Sequence, residues 1–418
     1  MTLLRRLQPG DLVSAQRSPV DAETLAGAAA IVEEVRVGGE PALRRHGIRF
    51  GELGGDEPII RGRDHLEEAF ANLDLDHQGL LQRVSTRIGD FARAQLAGLS
   101  DTTVEVPGGS AGHRWIPVAS AGAYAPGGRH PLPSSVLMTV IPARVAGVGT
   151  VWVASPRPTR VTLAAAWLAG ADGLLAVGGA HAIAALAFGT VSPATDLIVG
   201  PGNRWVTAAK KHLYGEVGID GLAGPSEIVV VADGDADPTL VAADLVAQAE
   251  HDPDAIPALI TISEDLARRV DTEMTRMLED LPTADVAGVS ARGGFCVIVD
   301  DLAQAVEVAN RLAPEHLALH TADPESLTGD LTAYGSLFIG AGSAETFADY
   351  GAGPNHVLPT GRGARFQSGL SVATFLRSPT WLRLDQPQAL IEDTVLLARL
   401  EGLEAHARAA EQRRRPPT

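Results

Sequence analysis

Residues 174–200, LLAVGGAHAIAALAFGTVSPATDLIVG, decide the fold class. They hold a short apolar strand, LLAVG (174–178), a helix over 180–188, and a second apolar strand, DLIVG (196–200). This is one strand–helix–strand step, and it recurs on both sides. Upstream, TVWVAS (150–155) is followed by a helix around 161–169; downstream come a helix around 204–213 and the strand EIVVVAD (227–233). The rhythm predicts an α/β protein with a doubly wound parallel sheet. The turns Gly178-Gly179-Ala180 and Gly200-Pro201-Gly202-Asn203 end strands at the carboxyl edge, where such sheets usually take ligands. Neither is a GxGxxG fingerprint, so this feature alone does not specify a dinucleotide.

A second alternating set follows. It comprises a helix at 240–250, ALITIS (258–263), a helix at 266–281, FCVIVD (295–300), a helix at 302–312 and LALHT (317–321). A further helix and the strand SLFIG (336–340) close it. Residues 1–20 read as a short arm, and 20–99 as helical, with one long amphipathic run over 65–96. The chain turns extended over 104–118 before AGAYAPGG (121–128), where glycines after a proline let the backbone approach a ligand or simply form a loop. Residues 381–410 read as C-terminal helices, and the arginine-rich tail 413–418 as disordered.

Composition narrows the function. A chain of 418 residues exceeds one ordinary core and implies two or three domains. Aromatic residues make up only 4%, so the cores are built from Ala, Val, Leu and Ile, while 45 glycines and 27 prolines imply many short loops. A net charge of −17 argues against nucleic-acid partners. No apolar run is long enough to span a membrane, and the N-terminus lacks the apolar core of a signal peptide. The single cysteine, Cys296, excludes an intramolecular disulfide and agrees with a cytoplasmic location. It lies in an apolar strand with no nearby cation and reads as structural rather than nucleophilic. Lysine occurs only at 210 and 211, leaving almost no candidate for Schiff-base chemistry.

Three places could carry chemistry. In DYGAGPNH (349–356), Asp349 and His356 flank two glycines and a proline, which exclude a regular helix and suit a loop able to aim both at one point. Gln248 and His251 lie three apart on a helix, hence on one face, either as a metal-ligand pair or as a polar helix end. Glu315 and His316 follow a helix and precede a buried strand; acid and imidazole together supply two proton-transfer groups of different strength.

Taken together, the ordered series AYAPGG, PLPSSVLMTVIPARVAGV, GGAHAIAALAFGT, VGPGN, AGPSE, AQAEHD, LAPEHLAL, DYGAGPNHVLPTGRGARFQSGLSV and EGLEAH, from about residue 116 to 406, resembles the histidinol dehydrogenase family. The resemblance implies two incomplete Rossmann-like domains with small helical terminal domains in an intertwined homodimer. Its boundaries are an arm at 1–19, a discontinuous first domain at 20–118 and 226–378, a second at 119–225, and a C-terminal segment at 379–418 that completes the partner's site. It implies zinc held by Gln248, His251 and Asp349 of one subunit and His406 of the other. Glu315 and His316 match the acid–base pair. Ser226, His356 and Glu401 fall at substrate positions, with Gln248, His251, His316, Asp349 and His406 also facing substrate. For NAD, Tyr124, His181 and Asn203 match. The implied reaction takes L-histidinol through the aldehyde to L-histidine with two NAD, His316 accepting the hydroxyl proton and Glu315 activating water. His181 stands where the family has glutamine and offers fewer hydrogen bonds, and Ala348 stands where glycine is usual. A dehydrogenase of another small polar alcohol, and a zinc-binding protein without catalysis, stay open at this point.

Overall fold

The computed structural model describes residues 2–12, 20–127 and 131–414. Residues 13–19 of the expected arm, Gly128, and 415–418 of the tail lie outside the described residues.

Two six-stranded sheets organise the chain. The first runs Gly218–Ile219, Leu197–Val199, Ser120–Tyr124, Thr150–Ala154, Gly173–Leu175 and Ile60–Gly62 in space. All its neighbours are parallel except Ile60–Gly62, which pairs antiparallel with Gly173–Leu175. The second runs Arg5–Leu7, Phe295–Ile298, Ile256–Thr261, Glu227–Ala232, His316–His320 and Ser336–Ile339, parallel throughout. Leaving out the edge strands Ile60–Gly62 and Arg5–Leu7, both sheets have the third-second-first-fourth-fifth order of a doubly wound sheet, reversing direction beside the first strand. The central strands are apolar on both faces and buried, as parallel sheets covered by helices require.

The N-terminal helices Ala22–Arg49, Arg63–Ala71 and Leu75–Ala97 lie over the first sheet, not the second with which the expected domain at 20–118 and 226–378 grouped them. Ala22–Arg49 packs on the helices Gly179–Phe188 and Arg204–Leu213, and Leu75–Ala97 packs on Pro133–Ala146. The physical reason is in the covered helices. Ala180 to Leu186 are buried all round, as are most residues of Pro133–Ala146. A helix apolar on every face needs cover on its outer side as well as from its sheet.

Other expectations change in detail. The run over 65–96 is two helices, broken at residues 72–74, where the Asp74 carboxylate accepts from His77 N at 2.8 Å and caps the second. The arm contributes the edge strand Arg5–Leu7. Only a single turn, Glu325–Leu327, fills the helix expected before SLFIG, while Ala284–Gly293 is a helix the reading passed over. The C-terminal segment begins as a strand, Thr380–Leu384, paired antiparallel with Gly109–His113. The helices Gln388–Leu400 and Glu404–Glu411 then pack on each other around Ile391, Val395, Ala398 and Ala407, a core separate from the main ones. No described helix is long and apolar enough to cross a membrane.

Candidate active site

The polar side chains gather at the amino edge of the second sheet. Ser226 and Glu227 open one of its two central strands, and Glu315 and His316 open the neighbour, with Ile228 paired to His316. This reverses the usual rule for open sheets, whose ligands sit at the carboxyl ends. The helix Pro238–Ala249 runs back along the sheet, so its C-terminal end delivers Gln248 to the same edge. Helix Glu345–Asp349 and the loop after it complete the site. In that loop Gly351 (φ 87°) and Gly353 (φ 144°) take backbone angles that side-chain-bearing residues rarely adopt. Asn355 Nδ2 donates to Met138 O at 2.6 Å, tying the loop to the first sheet's helix Pro133–Ala146. The site therefore lies between the amino edge of one sheet and the carboxyl edge of the other.

His316 is 4% exposed, and its two ring nitrogens differ. Nδ1 faces Gln248 Oε1 at 3.0 Å and Glu227 O at 3.2 Å, both acceptors, so Nδ1 carries the proton. Nε2 has no protein partner and keeps a lone pair for a substrate proton. Burial pushes the imidazole down to about 4, so it is neutral near pH 7. Beside it, Glu315 Oε2 accepts from Glu227 N at 3.0 Å and interacts with the Ser226 hydroxyl. Burial, reinforced by the neighbouring acids Glu227 and Asp349, raises the Glu315 carboxyl well above its ordinary range, the direction a base working near neutrality needs. Glu227, whose Oε1 accepts from Gly361 N at 3.0 Å, is pushed up by burial to about 7.

That shift has a stability consequence. From the unfolded value of 4.5 up to about 7, the unfolded chain gives up the Glu227 proton and the folded chain keeps it. Stability from this group is present at low pH and is lost as pH rises through that window. Glu227→Gln is expected to fall less in Tm than wild type between about pH 5 and about pH 8. Parallel curves in calorimetry would contradict it.

Asp349 Oδ2 stands 3.7 Å from His251 Nε2, with His251 partly exposed. His356 is spent on the loop: Nδ1 lies 3.1 Å from Asp349 O and Nε2 3.2 Å from Ser135 Oγ. Gln248, His251 and Asp349 thus lie around one edge of the sheet, but His406 and Glu401 do not. Both are exposed on the C-terminal helical pair, and their side chains make no hydrogen bond or ion pair among the described residues. Among the described residues no three His, Cys, Asp or Glu side chains are placed to hold a metal. One chain supplies an imidazole, a carboxylate and an amide oxygen, a hard nitrogen–oxygen set that fits zinc and lacks a fourth donor.

The cofactor candidates lie on the first sheet. The Tyr124 hydroxyl accepts from Gly179 N at 3.1 Å. His181 is buried, with Nε2 at 2.8 Å from Glu52 Oε2 and its ring clustered with those of His46 and Phe50. Glu52 also accepts from Gly178 N at 3.0 Å, and Asp220 accepts from Gly200 N at 2.6 Å. Gly178 N, Gly179 N and Gly200 N are therefore taken by the protein's own side chains. Asn203 caps the helix Arg204–Leu213 through its side-chain oxygen, and its amide nitrogen stays exposed without a partner. Lys210, buried and bonded to Asp220 and to Gly200 O at 3.1 Å, is structural. Cys296 is buried, its thiol pushed up to about 11, in keeping with an inert core residue. Ala348 is buried in the helix Glu345–Asp349 and fits there without needing glycine's freedom.

Sequence reading missed Glu227, Asp244, His320, Glu345 and Glu52. Asp244 and Glu345 were detectable, since each lies four residues before a singled-out side chain on a helix.

The neutral imidazole and the raised carboxyl beside it form an acid–base pair on an α/β fold. The family model for histidinol dehydrogenase matches residues 15–414. The histidinol dehydrogenase of Thermus thermophilus is 46% identical over 92% of this chain and 93% of its own. That of Chromobacterium violaceum is 42% identical over 96% and 93%. The crystal structure of histidinol dehydrogenase from Elizabethkingia anophelis superposes with a TM-score of 0.92 at 31% identity, covering 99% of this chain and 98% of that one. The chain belongs to the histidinol dehydrogenase family.

Proposed function

We propose that this chain oxidises L-histidinol through L-histidinaldehyde to L-histidine, the last step of histidine biosynthesis, as a zinc- and NAD-dependent homodimer. The observation that carries the reading is His316: buried, neutral, protonated on Nδ1 and free on Nε2, with a raised carboxyl beside it. Gln248, His251 and Asp349 would hold zinc with the partner subunit's His406, and zinc would supply the positive charge that orients the substrate's amino and imidazole nitrogens. NAD would take up hydride twice. His316 Nε2 accepts the hydroxyl proton in the first oxidation. Glu315 then accepts a proton from the water that attacks the aldehyde, held in place by Glu227 N and Ser226. Ser226 and the partner's Glu401 border the substrate, and His356 keeps the Asp349 loop in shape.

The dimer reading rests on the C-terminal helices. Leu396, Leu397, Leu400 and Leu403 are 63%, 58%, 77% and 44% exposed on a unit that carries two site residues away from its own chain's site. A second subunit would cover that apolar face and receive those residues. We place the cofactor at the carboxyl edge of the first sheet, near Tyr124, His181 and Asn203. Its phosphates would not rest on Gly178 N, Gly179 N or Gly200 N, which are occupied. His181 reaches a cofactor only by leaving Glu52. His181→Gln is accordingly expected to lower Tm and to leave the KM for NAD within about threefold. A tenfold change in that KM, at unaltered Tm, would show direct contact.

The direct test is stoichiometric: two NADH per histidinol, abolished by a chelator and restored by zinc. One NADH with aldehyde released would restrict the enzyme to the alcohol step.

A further inference from the structure

Behind the acid–base pair runs a buried polar ladder. Asp244 and Gln248, four apart on the helix Pro238–Ala249, face His320 and His316, four apart on the strand His316–His320. His320 Nε2 lies 2.9 Å from Asp244 Oδ2, and His316 Nδ1 lies 3.0 Å from Gln248 Oε1. Glu345, at the start of the helix Glu345–Asp349, is fully buried beside this ladder, and neither of its carboxyl oxygens has a hydrogen-bond partner among the described residues. A buried carboxyl without hydrogen bonds is a net cost to the fold, since its desolvation is not offset. Packing gives no reason to keep it, because an apolar side chain of similar size would fill the space without that cost.

Its position gives a reason. Glu345 Oε2 stands 3.6 Å from His316 Nδ1, just outside hydrogen-bond range, on the N–H that Gln248 Oε1 now occupies. In the proposed metal site the same Gln248 oxygen is a ligand. Were it drawn to a metal and away from the Nδ1–H, His316 would keep only the longer bond to Glu227 O at 3.2 Å. An imidazole held at Nδ1 by that one longer bond is less firmly constrained to the tautomer that leaves Nε2 free.

We propose that Glu345 is a positioning residue whose carboxyl takes over the Nδ1–H of His316 when Gln248 turns to the metal. The inference rests on the reading of Gln248 as a ligand and His316 as the base. Protonated or ionised, the Glu345 carboxyl offers an accepting oxygen, so the exchange does not depend on its charge. It has two effects: Gln248 is released at little cost, which raises metal affinity, and the base keeps the tautomer it needs.

The test compares E345L, which removes the acceptor, with E345Q, which retains an amide oxygen, both in the full-length chain. Zinc affinity is measured by competition with a chromophoric chelator, Tm on the metal-free protein, and kcat and KM for histidinol on the zinc-loaded enzyme. The 15N resonances of the His316 imidazole report its tautomer. E345L is expected to bind zinc at least about tenfold more weakly, to lose kcat with little change in KM, to show mixed tautomers, and to melt at a higher temperature. E345Q is expected to stay within about threefold of wild type in affinity and kcat. Gain of stability with loss of metal affinity separates this role from a structural one. Unchanged zinc affinity and kcat in E345L would overturn the proposal. So would E345Q as impaired as E345L, since an acceptor oxygen would then not suffice. Should E345L not fold, E345M carries the same comparison. A wild-type chain that neither bound zinc nor oxidised histidinol would show the underlying reading to be wrong, and this inference with it.

Discussion

His316→Asn is expected to lower the rate of histidinol oxidation by about two to four orders of magnitude, the usual worth of a positioned general base. The carboxamide keeps a group of similar size among Gln248, Glu227 and Phe338, so the fold should survive. What is lost is the free Nε2 lone pair, for which no other group stands in. Glu315→Gln should act differently. Its carboxyl is held by Glu227 N beside the imidazole rather than on it, with 3.8 Å between Glu315 Oε2 and His316 Nδ1. The substitution should therefore slow oxidation of added aldehyde by about two orders of magnitude and leave the alcohol step within about tenfold. Steady-state rates with each substrate check this, and equal losses of both variants on both steps would contradict the division of labour.

Much of this was legible in the chain because parallel sheets write themselves plainly. A strand buried on both faces is a short apolar run, and TVWVAS, EIVVVAD and ALITIS all became one. What the local pattern could not carry was tertiary grouping. The helices over 22–97 are amphipathic and would suit either sheet; the all-apolar helices Gly179–Phe188 and Pro133–Ala146 decide the matter, and they lie further along the chain. The strand Thr380–Leu384 was hidden in the same way, since five residues without a clean alternation acquire a partner only when Gly109–His113 arrives.

The site was legible as residues but not as geometry. Glu315, His316, Gln248, His251 and Asp349 were picked from the sequence, yet nothing there placed them at the amino edge of a sheet. His181 shows the opposite limit. The resemblance gave it as a residue facing NAD, and nothing local showed that Glu52, from a loop 129 residues earlier, binds its Nε2. Glu345 could be noted only by its spacing from Asp349, because a glutamate opening a short helix is common; its burial without hydrogen bonds is what sets it apart.

The strongest expectation about assembly concerns His406. It sits on a helical pair with its own small core, away from Asp349, and one chain supplies too few donors for a metal. The proposed site is therefore shared, and a mixed dimer tests it. One subunit carries His316→Asn and the other His406→Asn, with different tags so that only heterodimers are purified. Each homodimer is expected to be almost inactive. If His406 serves the neighbouring subunit, the heterodimer contains one wholly native site and recovers about half the wild-type activity. If His406 serves its own chain, both sites remain broken, and a heterodimer as inactive as its parents would contradict the account.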